Sequence, residues 1–415
     1  MNNEKRKLSK ITFFNPEFKF TSEVWFRILL GMVWTSNTLV DYFRAILVRI
    51  PFILDIKDYI VTVLYLVLTM LSLPYILKQS KFKLIMLYMG VLFLYFINYL
   101  LFPNNQKALG EYAIPFLINS VPLIFVGVSV NLQKSHKMLY YLSLVSVAII
   151  FVHHVLIEPV NFVHGDMHSA YQLLPHVCLA LLTSLFRRRY IEIAISALGV
   201  LTLLAYGSRG PILCLCVLII LYLVFYERLY RSMWKLSLII AALLFVVYRY
   251  EVILKALTDL IESIGMSTRV LDMLTSGDVL ISNGRDVILG KLWEAIAYNP
   301  LGYGIAGDRQ FVKVYAHNLL VELWVSYGVV FGTLLFAIFA GFLVKYMIRK
   351  LRNVDVSDAV VFALIASSVV KLFMSGTYLS ESFLFLLLGI LISEFKKTTV
   401  IEKSIMDNRY TEFVE

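Results

Sequence analysis

Three residues of this 415-residue chain stand where their type suits chemistry better than packing: Arg209, Arg285 and His317. Arg209 lies between two apolar stretches, in Tyr206-Gly207-Ser208-Arg209-Gly210. Arg285 follows Gly284 at the head of a helical stripe, where the helix dipole disfavours a cation. His317 precedes Asn318 at the start of another apolar helix. An arginine offers a planar fork that grips phosphate oxygens in pairs and keeps its proton. A histidine near its ordinary pKa takes a proton from a hydroxyl, or aligns that hydroxyl by hydrogen bonding. Two arginines and a histidine suit a reaction in which an anionic group leaves and a hydroxyl attacks.

The elements that must position them are membrane helices. With 60% hydrophobic and 16% charged residues and a mean hydropathy of +0.78, the chain cannot present a water-soluble surface. A spanning helix needs about 20 mostly apolar residues. Such stretches occur near 59–77, 84–102, 111–130, 138–157, 170–186, 190–206, 211–226, 236–248, 328–346, 357–374 and 382–394, with a more polar one at 22–42.

Charge settles the doubtful first stretch, because short cytoplasmic loops carry the Lys and Arg. The basic connectors are KQSKFK at 78–83, NLQKSHK at 131–137, RRR at 187–189, ERLYRSMWK at 227–235, KYMIRKLR at 345–352 and EFKK at 394–397. They alternate with PNNQK at 103–107, EPVNFVHGDMHS at 158–169, GSRG at 207–210 and SGTYLSES at 375–382. The N-terminal EKRKLSK joins the basic side only if 22–42 crosses, which predicts about twelve spans and both termini cytoplasmic. The fold class expected is all-α and polytopic, one integral domain over 1–397 with a cytoplasmic tail at 398–415. The net charge of +10 is then topological, and no basic stripe with interleaved aromatics points to nucleic acid. The first apolar stretch lacks the pattern of a cleaved leader.

One connector is long: 251–317, assigned to the outer side. Within it Ile288, Leu292 and Ile296 recur every four residues, with Leu289 and Trp293 beside them, which predicts an amphipathic helix ended by Asn299-Pro300. Gly302, Gly304 and Gly307 then allow tight turning or close approach of backbone to a ligand.

Gly284-Arg285, Trp293, Asn299-Pro300, Gly302, Gly304, His317-Asn318, Glu322 and Gly328, preceded by the Ser208-Arg209-Gly210 element, resemble the bacterial O-antigen ligase and Wzy-type polysaccharide polymerase superfamily. The motifs occupy about 205–332; elsewhere the agreement is in span number and orientation. The resemblance implies a glycosyltransferase of the GT-C type in the inner or plasma membrane, working outside it on undecaprenyl-diphosphate-linked glycans. Its two functional arginines and its histidine fall on Arg209, Arg285 and His317, while Gly302, Gly304, Asn318 and Glu322 become candidate substrate contacts. It implies a lipid-linked donor and a glycan acceptor as partners, with a chain-length regulator and a flippase beside them, and no cofactor or metal. A sugar on a lipid diphosphate already has a good leaving group, so arginines for the diphosphate and a histidine for the acceptor hydroxyl complete the need. A polymerase joining repeat units and a ligase moving a finished glycan share this chemistry; the compact outer loops favour the polymerase.

Lys371 and Arg249, cations near the outer ends of their spans, are further candidate diphosphate contacts, with snorkelling to the interface as the plain alternative. His153, His154, His164, His168 and His176 surround the outer loop at 158–169, but Pro159 and Gly165 interrupt any helix there and Asp166 is the main nearby carboxylate, so no metal site is expected. Asp55 and Asp58 would carry a metal-dependent transferase, yet no paired-carboxylate signature accompanies them. A lipid-linked oligosaccharide flippase, the remaining rival, would show related halves or broken helices. Cys178, Cys214 and Cys216 all fall inside spans, which excludes a disulfide framework.

Overall fold

The computed structural model describes residues 21–40, 57–153, 167–206, 208–228, 284–312 and 314–396, together with isolated positions between 237 and 263. No strand occurs among them. Apolar stretches broken by few glycines or prolines give the helices Ser22–Trp34 (α1), Lys57–Leu101 (α2), Pro103–Ser129 (α3), Leu132–Val152 (α4), Met167–Arg187 (α5), Tyr190–Ala205 (α6), Arg209–Phe225 (α7), Arg285–Tyr298 (α8), Leu319–Arg352 (α9), Val356–Val370 (α10) and 382–396 (α11). Among the described residues α3, α4, α5 and α9 are long and apolar enough to cross a membrane, and five shorter apolar helices accompany them. The expected span at 236–248, like Arg249, His154, His164, Asp55 and Asp166, lies outside the described residues.

One expectation changes. The connector KQSKFK was assigned to a loop between two spans, but helical backbone runs through it from Lys57 to Leu101. Its residues include no glycine or proline, and Lys and Gln are good helix formers. The apolar stretches on either side, Val63–Gln79 and Ile85–Leu101, still serve different partners. Tyr65 donates to the Met32 carbonyl of α1 at 3.0 Å, whereas Tyr88 and Tyr95 donate to the Leu117 and Leu109 carbonyls of α3 at 2.9 and 2.5 Å.

The main core surrounds α5, which is buried along most of its length. Small and hydroxyl side chains let the helices approach, as expected where apolar burial does not favour helix association over lipid. A β-carbon on Gly127 of α3 would strike the Leu386 carbonyl of α11, and one on Gly389 would strike the Ile124 carbonyl, so these two helices cross backbone to backbone. His176, expected near the outer loop, is instead buried in the core, with its Nε2 2.9 Å from the Thr38 hydroxyl and its Nδ1 3.4 Å from the Ser143 hydroxyl. His168 meets Gln172 at 2.9 Å.

Connectors far apart in sequence meet in space. Asn105 bonds the Tyr303 and Ile305 carbonyls at 2.8 and 3.1 Å, Tyr315 lies 3.3 Å from Ser375, and Gly210 abuts Tyr171. That gathers 103–107, 208–210, the loop before α9 and 375–382 at one end. Lys134 lies 3.5 Å from Glu23, Arg188 4.0 Å from Glu227, and Tyr226 donates to the Asp355 carbonyl at 3.2 Å, which places 131–137 beside the start of α1, and 187–189 and the end of α7 beside the start of α10. The helices α7, α9 and α11 each begin at the first end and finish away from it.

Candidate active site

The continuously described part of the long connector begins at Gly284, whose φ of 80° suits a residue without a side chain and starts α8 at Arg285. Leu292 and Ile296 of α8 are buried against Val312, Ala316, Val321 and Val325, forming a small core between the loop and α9. The helix ends where expected: the Asn299 side chain receives the Leu301 N–H at 3.2 Å and donates to the Gly302 carbonyl at 2.8 Å, closing the turn around Pro300.

The glycines that follow meet protein. Gly328 has φ 79° and kinks α9, and its N–H lies where a Gly302 β-carbon would stand. The backbones then pair, Tyr303 N–H to the Val325 carbonyl at 2.8 Å and Val329 N–H to the Pro300 carbonyl at 2.9 Å. A β-carbon on Gly304 would meet the Phe102 ring at 2.6 Å. Both glycines thus dock the turn onto α9 and onto the α2–α3 junction.

His317 has φ 54°, a left-handed conformation uncommon outside glycine and asparagine. Its neighbours hold it there. The Asn318 carboxamide oxygen caps α9 by accepting the Leu320 and Val321 N–H groups at 3.0 and 3.2 Å. On the other side the Ala316 N–H donates to the buried Asp308 carboxylate at 3.0 Å. The Tyr315 ring lies 4.4 Å from the imidazole, whose Nδ1 is buried without a hydrogen-bond partner. Burial, and then the positive charge of Arg285, push the His317 pKa down to about 4, with Arg309 acting in the same sense and the Met374 backbone opposing. The ring is therefore neutral near pH 7 and able to accept a proton.

Asp308 and Arg309 carry no signal in the sequence beyond adjacent opposite charges. They are instead the centre of a buried network. Arg309 pairs with Asp308, lies 3.7 Å from Glu322, and sits over the rings of Tyr112 and Tyr315 at 5.2 and 5.8 Å. Glu322, 1% exposed, accepts from the Thr377 hydroxyl and, at 3.4 Å, from the Tyr378 N–H. It ties α9 to the 375–382 turn and is not an interfacial anchor.

Lys371 pairs with Glu381 at 2.5 Å and places its ammonium 5.3 Å from the centre of the Tyr171 ring. Tyr171 was not singled out from the sequence. Its hydroxyl, buried and without a hydrogen-bond partner of normal geometry, touches Gly210 at the head of α7, one residue after Arg209, and it feels the charge of Arg285. The fold thus brings Arg209, Arg285, His317 and Lys371, drawn from four separate elements, around Tyr171, Tyr315 and Ser375.

Residues 194–337 match the O-antigen ligase family model. The matched stretch contains Arg209, Arg285, His317 and the Asp308–Arg309–Glu322 network, and it coincides with the region where the motifs resemble that superfamily. Lys371, Glu381 and Tyr171 lie outside the O-antigen ligase match and reach the site through the fold. No curated protein and no solved structure matches the chain. Among the described residues no group of three metal-ligating side chains forms, and Cys178, Cys214 and Cys216 are free thiols.

Proposed function

We propose that this protein is a polysaccharide polymerase of the GT-C type that joins undecaprenyl-diphosphate-linked repeat units on the outer face of the bacterial inner or plasma membrane. The observation that carries the reading is that the helix starts bearing Arg209 and Arg285 come together with His317 at one end of an apolar helical bundle. In this reading the bundle forms one domain over 1–397 with about twelve spans, the basic connectors and both termini are cytoplasmic, and the loop 251–317 lies outside. The acceptor hydroxyl attacks the anomeric carbon of the donor sugar, and the bond from that carbon to the diphosphate oxygen breaks. His317 takes the hydroxyl proton, and Arg209 and Arg285 hold the departing undecaprenyl diphosphate. Lys371, Arg249, Asn318 and Glu322 are candidate substrate or supporting contacts, with Gly302 and Gly304 shaping the turn near them. The arginines supply the positive charge, so transfer is metal-independent and persists after exhaustive EDTA treatment.

The description of the matched family favours a second reading, transfer of a finished glycan to another acceptor. One experiment separates them. His317→Ala is expected to slow transfer roughly 10²–10⁴-fold, and Arg209→Lys and Arg285→Lys to fail because a point charge cannot replace a paired grip. A polymerase so blocked accumulates single repeat units on the lipid and makes no ladder. A ligase accumulates long lipid-linked chains, and a flippase strands repeat units out of reach of glycan-cleaving enzymes added outside. Wild-type ladders in all three variants would overturn the site.

A further inference from the structure

The surface of α9 differs from that of its neighbours. In its most apolar stretch 11% of residues are buried, against 72% in Met167–Arg187, so beyond its first turns this helix lies at the edge of the bundle with one side exposed. Phe331, Leu334 and Ile338 form an exposed apolar row, three to four residues apart. The row ends in cations. Gly341, Val344, Lys345, Ile348, Arg349 and Arg352 line a groove of about 380 Å³ at the basic end of the helix. Spaced four and then three residues apart, Lys345, Arg349 and Arg352 share one face.

The groove is fixed in shape by α11. The Lys345 ammonium lies 3.7 Å from the centre of the Phe395 ring, and Arg349 donates to the Glu394 carbonyl at 3.1 Å. Lys350, by contrast, turns inward to Asp358 at 2.7 Å. A β-carbon at Gly341 would meet nothing within 4 Å, so the floor of the groove is open space. An apolar track thus runs into three positive side chains.

We propose that this groove binds an anionic phospholipid, its phosphate among Lys345, Arg349 and Arg352 and one acyl chain along Gly341, Ile338 and Leu334. Charge and apolar area are arranged in the order that such a lipid presents them. A second copy of the chain fits less well, since a two-fold axis along the membrane normal would set the cations against their own images. An inorganic anion would leave the apolar floor unused. The site is independent of the glycan-transfer reading, because it lies at the opposite end of α9 from His317.

Native mass spectrometry of the full chain in detergent tests the assignment, with dioleoyl phosphatidylglycerol, dioleoyl phosphatidylcholine and sodium phosphate as probes. The expected result is one saturable phosphatidylglycerol adduct, at least about tenfold tighter than phosphatidylcholine. Lys345→Gln with Arg352→Gln should weaken it roughly 25-fold, about fivefold for each cation removed. Both side chains are exposed, and the double variant gives up only the surface contact of Lys345 with Phe395, so it keeps the fold, whereas Arg349→Gln loses a hydrogen bond to α11. Equal binding of the two lipids, or undiminished phosphatidylglycerol binding by the double variant, would overturn the proposal. So would displacement of the lipid by millimolar phosphate, which marks a free-anion site, or a dimer that the double variant strengthens, which assigns the face to a second copy.

Discussion

The phenol oxygen of Tyr171 occupies the space that a side chain on residue 210 would need. The glycine after Arg209 is thereby explained by a contact between α5 and α7. Gly210→Ala is expected to push the Tyr171 ring away, at a cost of about 1–3 kcal/mol for overpacking. Tyr171→Phe removes the offending oxygen and should recover part of the loss in the double variant. Thermal midpoints of the four proteins form a double-mutant cycle, and additive effects would show that the two residues do not meet in solution.

In the reaction proposed above, His317 sets the pH dependence. Its proton acceptor is the neutral ring, and burial with Arg285 lowers its pKa to about 4. Activity that needs the neutral form is present above that value and is lost as pH falls through it. The rate should therefore be flat from pH 6 to 8 and decline toward pH 4. Arg285→Gln removes a positive neighbour and should raise the histidine pKa, which histidine-selective NMR reads even in an inactive protein; an unmoved resonance would separate the two residues.

Asp308 holds both the Arg309 guanidinium and the backbone N–H just before His317. Asp308→Asn keeps an acceptor for Ala316 but loses the charge; Asp308→Ala loses both. Breaking a buried pair costs about 3–5 kcal/mol. Both variants should unfold at lower temperature, with alanine lower, and similar midpoints would show that the Ala316 bond contributes little.

These contacts mark the boundary of what was legible in the sequence. Hydropathy found apolar helices, and Gly284 and Asn299-Pro300 found the ends of α8. Such signals are local or periodic. Tyr171 meets Gly210 from 39 positions away, and Arg309 meets Tyr112 from 197 away. Nothing in the neighbourhood of either residue records its partner. The helical connector at 78–83 shows the converse case, in which polar composition argued for a loop while residue propensity permitted a helix.

Glycines divide into two kinds that substitution should distinguish. Gly290 lies within α8 and a β-carbon there meets nothing within 4 Å, so Gly290→Ala should stabilise by about 0.5–1 kcal/mol. Gly328 combines φ 79° with contact to the Pro300 and Leu301 backbone, so Gly328→Ala should destabilise and loosen the 300–304 turn. Hydrogen exchange at Tyr303 and Val329 reports that loosening; protection unchanged from wild type would contradict the kink's role.

The crossing of Gly127 with Gly389 also bears on biosynthesis. Synthesis proceeds from the N-terminus, so α3 waits in the bilayer with its glycine face uncovered while more than 250 further residues are made. The turn carrying Thr377 and Glu381, whose carboxylate holds Lys371, leads directly into α11, the helix that brings Gly389. In the proposed reading the site is thus completed only once α11 is made, and a nascent chain stopped short of it holds His317 and both arginines without that contact.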